Sequence, residues 1–199
     1  MYRTFFALIL SAGLSIAAHA QTAASETQRD ANQQERIEQG LQSGQLSTRE
    51  AGQLERDQQR IDRTEARDMR DGSLSPQEKA RIQREQNQAS RDIYRDKHNG
   101  VHGNPNSASS QRLQADVQRN ANQQQRIANG VKSGQLTNQE AAHLEAGQKR
   151  EARNEANAAA DGHVGPREQA HIQGRENHQS QRIYDKKHNE KTRLGASGG

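Results

Sequence analysis

Apolar side chains are scarce along this chain, and those present recur at helical rather than strand spacing. Ile37 and Leu41 stand one turn apart, Leu54, Ile61 and Met69 follow at two-turn intervals, and Ile82, Ile93 and Tyr94 close the stretch. The series then returns as Ile127 and Val131, Leu144, Ile172, Ile183 and Tyr184, with Glu151 in the place of Ile61. Such intervals keep apolar groups on one face of a 3.6-residue helix. They predict helices over roughly 29–41, 48–69 and 76–97, and equivalents in the second stretch. Losing Ile61 to Glu151 leaves the second set with the thinner core.

The breaks between these helices share a signal. "SGQLSTREAGQL" at 43–54 is echoed by "DGSLSPQEKARI" at 71–82 and "SGQLTNQEAAHL" at 133–144. The shared pattern is Gly, an apolar residue, a capping residue and a Glu three further on: Gly44, Leu46, Ser47 and Glu50, for example. Gly permits the positive φ of a tight turn after a helix, and Ser or Thr accepts from the N–H three residues on. Glu reaches back to the cap N–H and closes a capping box. Pro76 and Pro166 sit at the first helical position, where a missing N–H costs nothing. In the fourth instance Gly165 replaces the capping hydroxyl, so that helix start is expected to be the weakest.

The echo belongs to a tandem duplication. Residues 29–100 align with 119–190 without a gap, and 35 of the 72 pairs are identical. A fixed long period is read before local propensity. The expected architecture is all-α: two tandem three-helix units, 29–100 and 119–190. They are preceded by a tail at 21–28, joined by a flexible Gly/Asn/Ser-rich linker at 101–118, and followed by a disordered tail at 191–199. The sparse apolar stripes could also be completed in a homodimer.

Residues 1–20, "MYRTFFALILSAGLSIAAHA", have one charge at Arg3, a short apolar run and a small-x-small end at Ala18, His19 and Ala20. They read as a secretory signal with cleavage near Ala20, placing the remainder in the periplasm or outside the cell, without membrane insertion. There is no Cys to anchor a lipid or build a disulfide framework. A formal net charge of +4 conceals mixed faces: 14 basic and 14 acidic residues in the first unit, 11 and 9 in the second. Nucleic-acid binding needs a one-sided basic face and stacking aromatics, and beyond the signal only Tyr94 and Tyr184 are aromatic.

Three sets of residues are candidate sites. Ser90, Ile93, Tyr94 and Lys97 share one helix face and lead into His98, and Ser180, Ile183, Tyr184, Lys187 and His188 repeat them. A duplicated face of this kind is a candidate contact surface for a protein or envelope component, made bivalent by the duplication. Its bland reading is helix packing with Lys laid over the ring. His163, His171 and His178 in the second unit are a candidate imidazole site for Zn²⁺ or Cu²⁺, against solvated surface histidines. Asp71 with Glu78, and Asp161 with Glu168, bracket glycine turns where a Ca²⁺ loop would place oxygen ligands. The remaining ligand positions fall on residues such as Arg67 and Met69, which leaves the two pairs as turn and capping residues. Arg and Glu alternating from Glu50 through Glu55, Arg56, Arg60, Arg63, Glu65 and Arg67 read as a solvated, salt-bridged face. No nucleophile or oxyanion site is legible, so no enzyme is expected.

The Asp-Gly turns, each between two helices, resemble degenerate EF-hand pairs. The "SGQLT..E" turns with an "IYRxKH" ending resemble an uncharacterised family of exported proteobacterial helical repeat proteins. "LSTRE", "LSPQE" and "LTNQE" are similar, more loosely, to the LTxxQ motif of periplasmic helical stress proteins, with Glu in place of Gln. The last resemblance implies metal binding or chaperoning. The expectation is therefore a non-enzymatic exported binding or envelope stress-response accessory without a cofactor, the alternative being a periplasmic divalent-metal binder.

Overall fold

The computed structural model describes the backbone of residues 12–189 and the side chains of 23–189. The N-terminal part of the expected signal and the tail at 191–199 lie outside the described residues. Six helices follow in order: α1 (Ala12–Gln42), α2 (Thr48–Asp68), α3 (Pro76–Lys97), α4 (Ala108–Ser133), α5 (Asn138–Ala158) and α6 (Pro166–Lys187). No strand occurs among the described residues, and no helix there is long and apolar enough to cross a membrane.

The helix starts form as the turn chemistry dictates. Ser47, Ser75 and Thr137 each accept from the N–H of Glu50, Glu78 and Glu140, and each Glu returns a bond to the cap. At α6 only half of this box exists: Glu168 accepts from Gly165 N–H at 2.8 Å, and no side chain caps the helix. Gly44 and Gly134 make the preceding turns at φ 71° and 77°.

In the first unit α1 and α2 touch little, and in the second α4 and α5 touch only moderately. The extensive contacts are between units, α1 along α4 and α2 along α5, with α3 flanking α1 and α2, and α6 flanking α4 and α5. Both pairs run antiparallel about a pseudo-twofold axis. Gln28 and Gln125 exchange two amide hydrogen bonds across α1 and α4, at 2.8 and 3.0 Å. Gly52 meets Ala159 across α2 and α5, where a Cβ on Gly52 would come within 2.6 Å of the alanine methyl. Two apolar clusters result, each built from both units. One joins Ile37, Leu41, Leu46, Leu54 and Ile93 to Leu113, Val117, Val164 and Ile172. The other joins Met69, Leu74 and Ile82 to Ile127, Val131, Leu136, Leu144 and Ile183.

The expected pair of units on a tether is therefore corrected to one interlocked six-helix body. Ser107 caps α4, accepting from Ser110 N–H at 3.1 Å, and residues 108–118 are helical. Leu113 and Val117, one turn apart and fully buried, hold that extension down. Residues 21–28, expected as a tail, belong to α1, with Ala23 and Thr27 buried. The segment before α4 is docked as well: Gly103 N–H donates to Gly44 O at 2.9 Å, and a Cβ at Gly103 would overlap the Leu46 carbonyl. Because that neighbour is backbone, Gly103→Ala is expected to destabilise by about 1–3 kcal/mol. Gly100→Ala, whose Cβ would meet nothing within 4 Å, carries only the strain of its positive φ. An unchanged melting temperature for Gly103→Ala would contradict the docked segment.

Candidate functional site

Between the two apolar clusters each central helix presents polar residues inward. On α2 these are Glu55, Gln58, Asp62 and Glu65, on α5 Glu145, Gln148 and Glu155, on α1 Asp30 and Gln34, and on α4 Asn120 and Gln124, all at most 2% exposed. The spacing 55, 58, 62, 65 is a helical stripe, and antiparallel packing sets it against 145, 148 and 155.

Amides hold one side of the acids. Gln34 Nε2 donates to Glu55 Oε2 at 3.0 Å and, in the same relation, Gln124 Nε2 to Glu145 Oε2 at 3.1 Å. Gln86 Nε2 donates to Asp30 Oδ1 at 2.8 Å, and Asn120 Nδ2 to Glu155 Oε2 at 3.3 Å. The other side is carboxyl against carboxyl: Asp30 with Glu65, and Glu55 with Glu155. Asp30 Oδ2, Glu65 Oε2, Glu55 Oε1 and Glu155 Oε1 have no hydrogen-bond donor among the described residues. Two buried carboxylates in contact repel and cannot both stay ionised, whereas one shared proton satisfies both oxygens. Each pair therefore holds at least one proton.

Burial is the leading cause of the resulting shifts. It pushes Asp30 and Glu55 up to about 7 and Glu145 up to about 8, and it holds Glu65, Asp62 and Glu155 well above the usual carboxylate range. Neighbouring carboxylates add to it, Asp30 and Glu145 on Glu65, and Glu145 on Asp62. Toward α6 the same holds for Asp116, at about 7, and Glu176, at about 8, with Arg119 opposing. The interior acids are enclosed by packed helices.

The expected contact face divides. Ile93 and Ile183 are fully buried in the apolar clusters. Ser90 and Ser180 accept from Gln33 and Gln123 at 2.7 and 2.9 Å. Lys97 and Lys187 are half-buried, and Lys97 Nζ lies 3.4 Å from Arg36 O. Those six residues are packing groups. Tyr94 and Tyr184 remain at the surface, 63% and 52% exposed, and among the described residues Val101 is the other exposed large apolar side chain. Each ring stacks on the histidine four residues on, with centroids 4.2 and 4.1 Å apart. His98 and His188 are also helix caps: their Nδ1–H donates to the carbonyls of Tyr94 and Tyr184 at 2.6 and 2.7 Å, which leaves Nε2 outward. Asn99 and Asn189 then donate to Glu50 and Glu140 at 2.7 Å, tying each C-terminus to the capping box of its own unit.

The expected metal residues are not assembled. His163, His171 and His178 are each exposed, and among the described residues no group of three or more His, Cys, Asp or Glu side chains is placed to hold a metal ion. Asp71 Oδ1 accepts from Ser73, and Glu78 is engaged with Ser75. Asp161 Oδ1 accepts from His163 N–H and Glu168 from Gly165 N–H, so all four acids serve turns and caps. These turns dock across units instead. Asn138 Nδ2 donates to Gly72 O at 2.8 Å, and Arg49 to Asp161 O at 3.0 Å.

Sequence reasoning assigned Glu55 and Glu65 to a solvated face, and the structure buries both completely. Their signal was present: the two acids and Gln58 recur as Glu145, Gln148 and Glu155, in phase with Ala51 and Leu54, while Arg56, Arg60, Arg63 and Arg67 lie in other phases and are exposed. No protein-family model, curated protein or solved structure matches the chain.

Proposed function

We propose that this chain is an exported, non-enzymatic accessory of the cell envelope that holds a partner protein, and that it serves under acid stress. The observation that carries this reading is the proton-sharing interior. A fold whose enclosed acids keep their protons gains stability relative to its unfolded chain as the surroundings acidify. The signal-like residues 1–20 support export, which would expose the chain to the pH outside the cell. The stacked, outward Tyr94 and Tyr184 are the contact groups. Their rings present apolar area at low entropic cost and keep a polar edge.

At about pH 5, where the interior acids are protonated, the purified chain is expected to suppress aggregation of an acid-unfolded reporter protein in proportion to its amount. Tyr94→Ala with Tyr184→Ala should lose most of that suppression while keeping the helical circular dichroism of the parent. The reading fails if the parent suppresses nothing from acid to neutral pH, or if the double variant performs equally well.

A further inference from the structure

The duplication supplies an internal control for each surface cavity. Between α5 and α6 lies an open cavity of about 360 Å³ lined by Arg150, Glu151, Arg175, His178 and Arg182, among others. Its twin between α2 and α3, about 260 Å³, is lined by Asp57, Arg60, Ile61, Arg84 and Glu85. The first unit balances its two arginines with two acids, whereas the second sets three arginines against Glu151 alone. The exchange is specific by position: Glu85 corresponds to Arg175, Asp92 to Arg182, and Asp57 to Gly147.

In the first unit Asp57 pairs with Arg60, and Asp92 with Arg95. The second unit has removed both acids. The guanidinium groups of Arg150 and Arg182 are in neither a hydrogen bond nor a close ion pair with another described residue, and Glu151 attracts them only at longer range. Arg175 Nε is buried without a hydrogen-bond partner, and its contact with Glu151 Oε2 is 3.8 Å, too long for one. Burial, and after it Arg182 and Arg175, lower the Arg150 pKa, and Glu151 opposes them only in part, as expected where three cations crowd around one acid. The cavity floor is fixed. Buried Gln179 donates to Leu144 O at 2.9 Å and fills the space over Gly147 where any Cβ would collide.

An arginine trio on a helical surface is often simply solvated. Here a donor is left without a partner, and the cavity lies beside it with the neutralising acids of its twin replaced. We propose that this cavity binds a small phosphate-bearing anion. Guanidinium forks match the paired oxygens of phosphate, and a phosphomonoester carries close to the two negative charges that the lining lacks. His178 and Gln181 add ring and amide donors at the rim.

The test is calorimetric titration of the purified chain with inorganic phosphate and, separately, with glycerol 3-phosphate at low ionic strength. Saturable binding at one site is expected for at least one of them. Tighter binding of glycerol 3-phosphate identifies an organic phosphate, and equal binding identifies the bare ion. Arg182→Asp, which restores the acid of the first unit at an exposed position, should weaken binding by at least about tenfold, the loss of one charged contact. Arg60→Glu in the twin cavity should change nothing. The inference is overturned if neither ligand binds saturably, if Arg182→Asp binds as the parent does, or if Arg60→Glu weakens binding equally, which would mark diffuse attraction.

Discussion

Stability falls as the pH is raised from about 4 toward 8, opposite in direction to the usual behaviour of paired surface carboxylates. The acids concerned have folded pKa values raised above their unfolded ones. Their contribution is complete below the unfolded values near 4 and is lost as the pH climbs through the folded values, about 7 for Asp30 and Glu55 and about 8 for Glu145. For each proton kept by the folded chain after the unfolded chain has lost it, stability drops by about 1.4 kcal/mol per pH unit. Two bridged pairs hold at least one proton each, so between about pH 5 and 7 the loss is on the order of 5 kcal/mol. That rivals the whole stability of many domains, about 5–15 kcal/mol. At roughly 2–4 °C per kcal/mol the melting temperature should drop by roughly 10–20 °C.

The groups facing these pairs leave the sign unchanged. Asp30 and Glu65 meet Glu26 and Arg29 on α1, Asp62 on α2, Gln86 on α3 and Glu145 on α5. Acids outnumber the one cation. Lys149 opposes only at Asp62. Thermal melting followed by circular dichroism across this range is the check, with Glu55→Gln/Glu155→Gln as the variant. An amide pair satisfies the same oxygens without a titrating proton, so the pH slope should flatten. A melting temperature that is level or rising between pH 5 and 7 in the parent would refute proton sharing in the interior.

Residues 21–100 produced alone lose the cooperative fold of the whole chain. Each apolar cluster takes side chains from both units, so one unit exposes Ile37, Leu41, Leu54, Met69 and Ile82 to water at once. Burying such a side chain is worth about 1.5–3 kcal/mol, and an isolated three-helix unit has little else to offset its ordering entropy. Glu55 would also lose Glu155, the carboxyl it meets across the units. Because the two units stand in pseudo-twofold relation, a second copy of the same unit can occupy the vacated place, with Glu55 of each copy opposite Glu65 of the other. Helix formation by 21–100 is therefore expected to depend on concentration and to coincide with dimerisation in sedimentation. A monomeric fragment with the melting profile of the full chain would show that each unit completes its own core.

The sequence by itself determined the presence of the helices and most of their ends, though not the starts of α1 and α4. Period, glycine turns and capping boxes act within a few residues, and α2 and α3 begin and end within a residue of the expected bounds. It also determined the duplication, and with it the equivalence of every pair from Gln34 and Gln124 to Tyr94 and Tyr184. Local patterning could not say which surface each helix faces. Glu55, Asp62 and Glu65 look solvated when neighbouring residues alone are read, because charge is normally excluded from an interior. Only the packing of α1 and, some 90 residues further along the chain, α5 against α2 gives Glu55 and Glu65 partners that make their burial tolerable: Asp30 for Glu65, and Gln34 and Glu155 for Glu55. The docking of 101–107 was hidden for the same reason, since a Gly/Asn-rich stretch reads as mobile until the backbone of Leu46 is set against Gly103. Helix ends are decided by local hydrogen bonds, whereas the protonation of the interior is decided by which helices meet, and that meeting exists only in the assembled fold.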